Sequence, residues 1–396
     1  MTDGIRTILN TTCFRPIDVE ALLDPEHRSW VAFDPELGYV PDDIIMRDGM
    51  DFSRSTYTHE PAGHRRIVNY PEVSARINTY GDSFTQCQQV SDDETWQERL
   101  AAHIGEPIRN FGSGGYSVNA AVLRAMRMEE TAEGAEYVIL NIFDDDHIRN
   151  LDAARWIRTA WCEKERPPEK AYPLHGLPWA HLRFDLQQNG WVELPGKCRD
   201  AEALRALTDP QRFYETFKDD SVVKLFALQQ GFEGDVTEFE ALAEAMAIDV
   251  DLRTPGTLSQ ELERFHRAYG FKSTEYLLEK KLRPWLEARG KKLMILLSYS
   301  LGSMAGYLTG HPRFDAVFLD WLHDHNYFVV DPLEKHREDF GQFSIGIEDY
   351  IKRYYIQAAG AAVFGHYDPR GNHFYAFAIK DELVNWLNPK PPAYRP

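Results

Sequence analysis

The sequence predicts an α/β fold, a doubly wound parallel sheet of about five strands that carries an N-terminal extension and a large helical insertion. Three observations predict it. Short, mostly apolar runs of strand length recur along the chain, and the earlier ones end in glycine or polar turn residues. Helical patterns with capping signals lie between them. One interval between consecutive runs is far longer than the dozen or so residues a crossover needs, so it holds an insertion.

The first strand is Ile77 to Tyr80, running into Gly81-Asp82-Ser83. The capping box Ser91/Glu94 opens a helix in which Trp96, Leu100 and Ile104 fall at i, i+4 and i+8, with Gly105 where a C′ glycine belongs. Pro107 to Phe111 is the second strand, followed by a glycine cluster and a helix from Ala120 to Met128. Tyr137 to Phe143 is the third and runs into three aspartates; Leu293 to Ser298 and Tyr327 to Val330 are the fourth and fifth. Runs that are mostly apolar suit parallel strands buried on both faces, and such a sheet binds ligands at the carboxyl ends of its strands.

The domain expectation is an α/β core of residues 71–150 and 291–396. Residues 1–70, with few helical signals, are expected as an irregular and β extension packed on that core. Residues 151–290 form the insertion, helical in content, with a capping box at Thr257/Gln260 and apolar residues Leu262, Phe265 and Tyr269 at helical spacing. It holds four of the nine tryptophans, Trp156, Trp161, Trp179 and Trp191. A cap over the active site and a helical subdomain with its own core both fit that content.

The composition narrows the function. The formal charge is −18, from 44 basic and 62 acidic residues, and no basic run compensates it, which excludes a generic nucleic-acid binder. Hydrophobic residues at 43% and aromatics at 13% exclude wholesale disorder. Cys13, Cys87, Cys162 and Cys198 have neither CxxC nor Cys/His spacing, so no zinc site or disulfide framework is expected. No signal-peptide pattern and no membrane span are read, so a cytoplasmic location is expected.

The chemistry-bearing residues follow three of the strands or precede the final helix. Ser83 stands on a tight turn from strand to helix, which exposes its hydroxyl and backbone N–H at the crevice. Gly115, in Asn110-Phe111-Gly112-Ser113-Gly114-Gly115-Tyr116-Ser117, lets a backbone N–H approach a developing oxyanion with no side chain in between. Asn141-Ile142-Phe143-Asp144-Asp145-Asp146 closes the third strand, and with His147 it offers hard or borderline metal ligands. Alternation along a continuing strand would send Asp144 and Asp146 to one side and Asp145 and His147 to the other, so no metal is expected. Gly365-His366-Tyr367-Asp368-Pro369-Arg370-Gly371-Asn372-His373 precedes a final helix through Ala376, Ile379 and Leu383.

These blocks, in this order, resemble the SGNH/GDSL hydrolase superfamily. Phe33 to Pro41 and Asp93-Glu94-Thr95-Trp96 add to the likeness, as in members with an N-terminal extension. The resemblance implies a flavodoxin-like sheet of the SGNH-hydrolase type and a carboxylic ester hydrolase, an esterase or deacylase. It makes Ser83 the nucleophile, Ser83 and Gly115 the oxyanion hole, and His366 the general base, ahead of His373. No cofactor is implied, and the partner is a small-molecule or carbohydrate ester.

The chain departs from the pattern twice. Asp145 falls where the superfamily has an oxyanion-hole asparagine, and an ionised carboxylate cannot donate a hydrogen bond. Asp145 is then protonated, or Ser83 and Gly115 form the hole alone, or the substrate places a cation there. The positions of the superfamily's aspartate are Val363 and Phe364. Either Ser83 and His366 form a dyad, or an acid comes from elsewhere; Asp145 and Asp368 are the candidates, with Asp82 auxiliary. An acyltransferase using the same residues and a binding protein on a hydrolase scaffold are the alternatives.

Overall fold

The computed structural model describes residues 2–24, 26, 29–162, 176–356 and 365–395. The chain divides into two compact units, one of residues 1–41, 117–120 and 147–280, the other of 42–116, 121–146 and 281–396.

The second unit holds the sheet. Its strands are β1 (Ile77–Tyr80), β2 (Arg109–Asn110), β3 (Tyr137–Phe143), β4 (Lys292–Ser298) and β5 (Val329–Val330). All four pairings are parallel and the spatial order is β5-β4-β3-β1-β2. Read from the other edge this is 2-1-3-4-5, the flavodoxin-like order. β1 and β3 are buried along their whole length, which suits the mostly apolar run of β3 and requires partners for the polar Asn78 and Thr79 of β1.

Alternation along β1 shows that both faces are covered. Thr79 Oγ1 accepts from Gln97 Nε2, 3.1 Å away on the helix Trp96–Ile104. Its neighbours Asn78 and Tyr80 both donate to Glu129, at 2.7 and 2.8 Å, just past the helix Val118–Met128. The capping box of Ser91 and Glu94 forms, but it opens the 3₁₀ turn Asp92–Glu94, while Thr95 caps the helix proper through the Glu98 N–H. Gly105 is left-handed, with φ of 79°.

The first unit is built on helices, with two antiparallel strand pairs, Val31–Asp34 with Gly38–Pro41 and His181–Asp185 with Gly190–Leu194. Residues 1–70 therefore differ from the irregular and β expectation at their start. Thr2–Thr12 and Pro16–Leu23 are helices, because Ile5, Ile8 and Leu9 fall at i, i+3 and i+4 and are buried. Residues 1–41 group with 147–280, through contacts such as Phe14 on Phe213 at 5.3 Å, and only 42–70 belong to the sheet-bearing unit.

Within the first unit, Leu225, Phe239, Leu262, Phe265 and Tyr269 share one core. The expected box at Thr257 does not form. Thr257 has helical backbone angles and donates to the Thr254 carbonyl instead of capping Leu258–Tyr276. The tryptophans divide. Trp156 and Trp179 are buried, with indole N–H groups donated to the Thr12 and Asp152 carbonyls, which is the core reading. Trp191 stacks on Tyr269, and Trp161 donates to Gln230. Among the described residues, no helix is long and apolar enough to cross a membrane.

Candidate active site

Everything in this site belongs to the sheet-bearing unit. Gly81, at the end of β1, has φ of 153°, and a Cβ there would lie 2.2 Å from Thr85 Oγ1 and 2.4 Å from the Asn141 carbonyl oxygen. Only glycine lets the chain turn so close to β3. Asp82 then caps the single turn Ser83–Gln86, its Oδ1 accepting from the Phe84 N–H at 2.9 Å. Its Oδ2 accepts from the Ser83 hydroxyl at 3.1 Å.

The glycine block after β2 locks onto this turn. Gly112 N–H donates to Asn110 Oδ1, Ser113 N–H to the Gly81 carbonyl at 3.0 Å, and Gly114 N–H to Gln86 Oε1 at 2.7 Å. A Cβ on Gly112 would lie 2.1 Å from the Gln86 nitrogen. Gly115 takes φ of 79° in the turn closed by Tyr116 N–H on the Ser113 carbonyl, a position that favours glycine. The first two blocks are thus one hydrogen-bonded assembly.

The final block joins them through Phe84, the residue after Ser83. The Phe84 ring lies 5.1 Å from the His366 ring and 5.5 Å from that of Tyr367. His366 is buried, and its Nδ1 lies 2.8 Å from Gln89 Oε1, which also accepts from the His366 backbone N–H at 2.9 Å. Val363 and Phe364 lie outside the described residues.

Asp368 is not placed as the acid. It is the N-cap of Pro369–Trp386, accepting from the Arg370 and Gly371 N–H groups and from the Arg370 guanidinium. The Pro at N1 and the Asx-type cap account for that role. His373 is exposed on the same helix, stacked on Phe377, and does not join the cluster.

The third block departs from a strand sooner than alternation assumes. β3 stops at Phe143, Asp144 and Asp145 form a turn, and Asp146 starts the short helix Asp146–Arg149 while accepting from the Phe143 N–H. Asp145 is half-buried in that turn. Asp144 accepts from the Ser303 hydroxyl and from the Ser300 N–H at 3.1 Å, at the start of Leu301–Leu308. Its other oxygen, Oδ1, is buried without a hydrogen-bond partner, and burial pushes the carboxyl up to about 6 against the pull of the two serines. Among the described residues, no cluster of three or more His, Cys, Asp or Glu side chains could hold a metal ion.

No protein-family model and no curated protein matches the chain. Among solved structures, the chain is similar to a member of the lipolytic protein G-D-S-L family from Veillonella parvula, at 13% identity and a TM-score of 0.31, over 78% of this chain and 98% of that one. The likeness is weak.

Two residues of the assembly carry no sequence signal. Gln89 has a left-handed backbone, φ of 73°, and its N–H donates to Tyr57 Oη while its Nε2 donates to the Asp48 carbonyl at 3.1 Å. Arg65 holds the loop under it, donating to the carbonyls of Gln86, Cys87 and Val90 at 2.6, 2.9 and 2.6 Å and pairing with Asp92 at 2.8 Å. Arg65, the first of the adjacent pair Arg65-Arg66, gives no hint of this in the sequence, because these carbonyls and Asp92 lie more than twenty residues away.

Proposed function

We propose that the chain is a serine hydrolase that cleaves a carboxylic ester through an acyl-enzyme on Ser83. The observation that carries this is the meeting of Ser83's turn with His366 through Phe84, at the carboxyl end of β1. A hydroxyl on such a turn and an imidazole from the last block are the parts a nucleophile and base require.

In this reading His366 takes the Ser83 proton as Oγ attacks the acyl carbon. The backbone N–H groups of Ser83 and Gly115 hold the oxyanion, and removing one such donor typically costs about 10²–10³ in rate. His366 then protonates the departing alkoxide as its C–O bond breaks; water, deprotonated by His366, attacks the acyl carbon, and the acid leaves as the Oγ–C bond breaks and His366 returns the proton to Ser83. Asp145 adds no donor while ionised. Asp82, which accepts the Ser83 hydroxyl at 3.1 Å, is in this reading a resting partner that Ser83 leaves when it reacts.

The test treats the wild type and Ser83→Ala with a fluorophosphonate, reads intact mass, and follows p-nitrophenyl acetate hydrolysis in parallel. One adduct and turnover in wild type, both lost in Ser83→Ala, is the expected result. No adduct and no turnover in a folded wild type would overturn the proposal in favour of a binding protein.

A further inference from the structure

We propose that Gln89 is the positioning residue of His366, standing where a carboxylate stands in a serine triad; the inference rests on the reading of Ser83 and His366 as nucleophile and base.

The geometry fixes the proton on the ring. A backbone N–H can only donate, so the atom facing the His366 N–H at 2.9 Å is the amide oxygen of Gln89. The other end of the amide agrees, since Nε2 donates to the Asp48 carbonyl. The same oxygen meets His366 Nδ1 at 2.8 Å, and an amide oxygen only accepts, so Nδ1 carries the proton of the neutral ring. Nε2 is then the basic nitrogen, the tautomer a general base needs.

Gln89 is itself held, and that separates a positioning device from a chance contact. It is buried, and its left-handed backbone is an uncommon conformation for a side chain of this kind. Tyr57 receives its N–H, Tyr57 in turn donates to Asp48 Oδ2, and Arg65 binds the carbonyls on both sides of it. Charged or titratable groups met around the pair include Asp48, Tyr57 and Arg65, which hold Gln89 and its loop, and Asp82 and Tyr367, which contact Phe84.

A neutral amide orients the ring but gives the imidazolium no counter-charge. Gln89→Glu places a carboxylate at the same reach, so it raises the His366 protonation midpoint, and Gln89→Ala releases the ring.

The test is long-range ¹H–¹⁵N spectroscopy of the ¹⁵N-labelled full chain, with the His366 signals picked out from the 14 histidines by their loss in His366→Asn. Wild type is expected to show a protonated Nδ1 and a pyridine-type Nε2 near neutral pH. Gln89→Ala should mix the two tautomers and lower p-nitrophenyl acetate kcat about 10- to 100-fold with little change in KM. Gln89→Glu should raise the midpoint by about one pH unit or more, carry the acid limb of kcat with it, and keep the tautomer.

A protonated Nε2 in wild type overturns the proposal, and so do an unchanged tautomer in Gln89→Ala and an unchanged midpoint in Gln89→Glu. If Gln89→Ala does not fold, the wild-type tautomer and Gln89→Glu decide. A Ser83 inert to fluorophosphonate beside the expected tautomer would remove the hydrolase reading and leave the positioning of His366 by Gln89 intact.

Discussion

Ser83 donates its hydroxyl to the carboxylate of the residue before it, Asp82, whose other oxygen caps the turn that Ser83 begins. One side chain therefore shapes the turn and holds the hydroxyl proton at rest. Asp82→Ala should cost about 1 kcal/mol through the lost cap, while Asp82→Asn, which retains a capping oxygen, should recover most of it. Ser83 in Asp82→Asn should label with fluorophosphonate at least as fast as in wild type. A tenfold slowing in a folded Asp82→Asn would mean that Asp82 itself receives the serine proton.

Arg65 is the keystone of the loop from Gln86 to Val90, because its guanidinium satisfies carbonyls that no strand or helix pairs. Arg65→Met should leave those carbonyls and Asp92 without their cation and cost about 3–5 kcal/mol in denaturant unfolding. Arg65→Lys should recover only part of it, since an ammonium cannot span the same fork of acceptors. A loss below about 1 kcal/mol for Arg65→Met would refute this account.

Gly112 leaves no room for a side chain, its added Cβ meeting the Gln86 nitrogen at 2.1 Å. Gly112→Ala should therefore force apart the first two blocks and destabilise by about 3 kcal/mol or more. A near-neutral thermal shift would contradict that packing.

Asp144 sets a stability difference that depends on pH. Its carboxyl is held up at about 6 by burial, so the folded state keeps a proton that the unfolded chain has released. Stability from this group is present below about pH 4 and is lost as pH rises to about 6. Asp144→Asn, which still accepts from Ser300 and Ser303, should be more stable than wild type at pH 7, by on the order of 1–3 kcal/mol, and equal to it near pH 4. Urea unfolding at both pH values checks this, and a constant difference would count against it.

His336 has the opposite sign. Burial alone pushes its imidazole down to about 3, between Tyr350 and Tyr367 on its two ring nitrogens. The unfolded chain binds a proton near pH 6.5 that the folded state refuses, so stability falls as pH drops from about 6.5 toward 3. His336→Phe forfeits two hydrogen bonds at every pH but escapes this loss. Its deficit relative to wild type should shrink steadily below pH 6.5, and parallel curves would argue otherwise.

The sheet was legible because burial on both faces leaves a direct trace. β1 and β3 run within the predicted limits, Ile77–Tyr80 and Tyr137–Phe143. β2 shrinks from Pro107–Phe111 to Arg109–Asn110, since side-chain types alone do not show where ladder pairing stops. The helices at Thr2–Thr12 and Pro16–Leu23 were missed because, read alone, their few apolar positions do not announce the surface they cover. At the site, Gly81, Ser83, Gly115 and His366 could be picked from the string, as glycine turns and a histidine before the last helix are local patterns. Asp368 misled, because an aspartate one residue before Pro369 reads equally as an acid or as a helix cap, and the hydrogen bonds choose the cap.

By itself, then, the order of apolar runs and punctuating turns determined a parallel sheet of about five strands, with a serine and a glycine cluster following two of its strands and a histidine just before the last helix. These are properties of short segments, set by backbone sterics and by the burial of each face. Tertiary structure alone decided what His366 leans on. Gln89 stands 277 positions away along the chain, with an amide that no motif marks, and Arg65 and Tyr57 bring it there by hydrogen bonds to backbone groups that any sequence possesses. A contact made to main-chain atoms leaves no residue pattern to read, and only the folded chain reveals it.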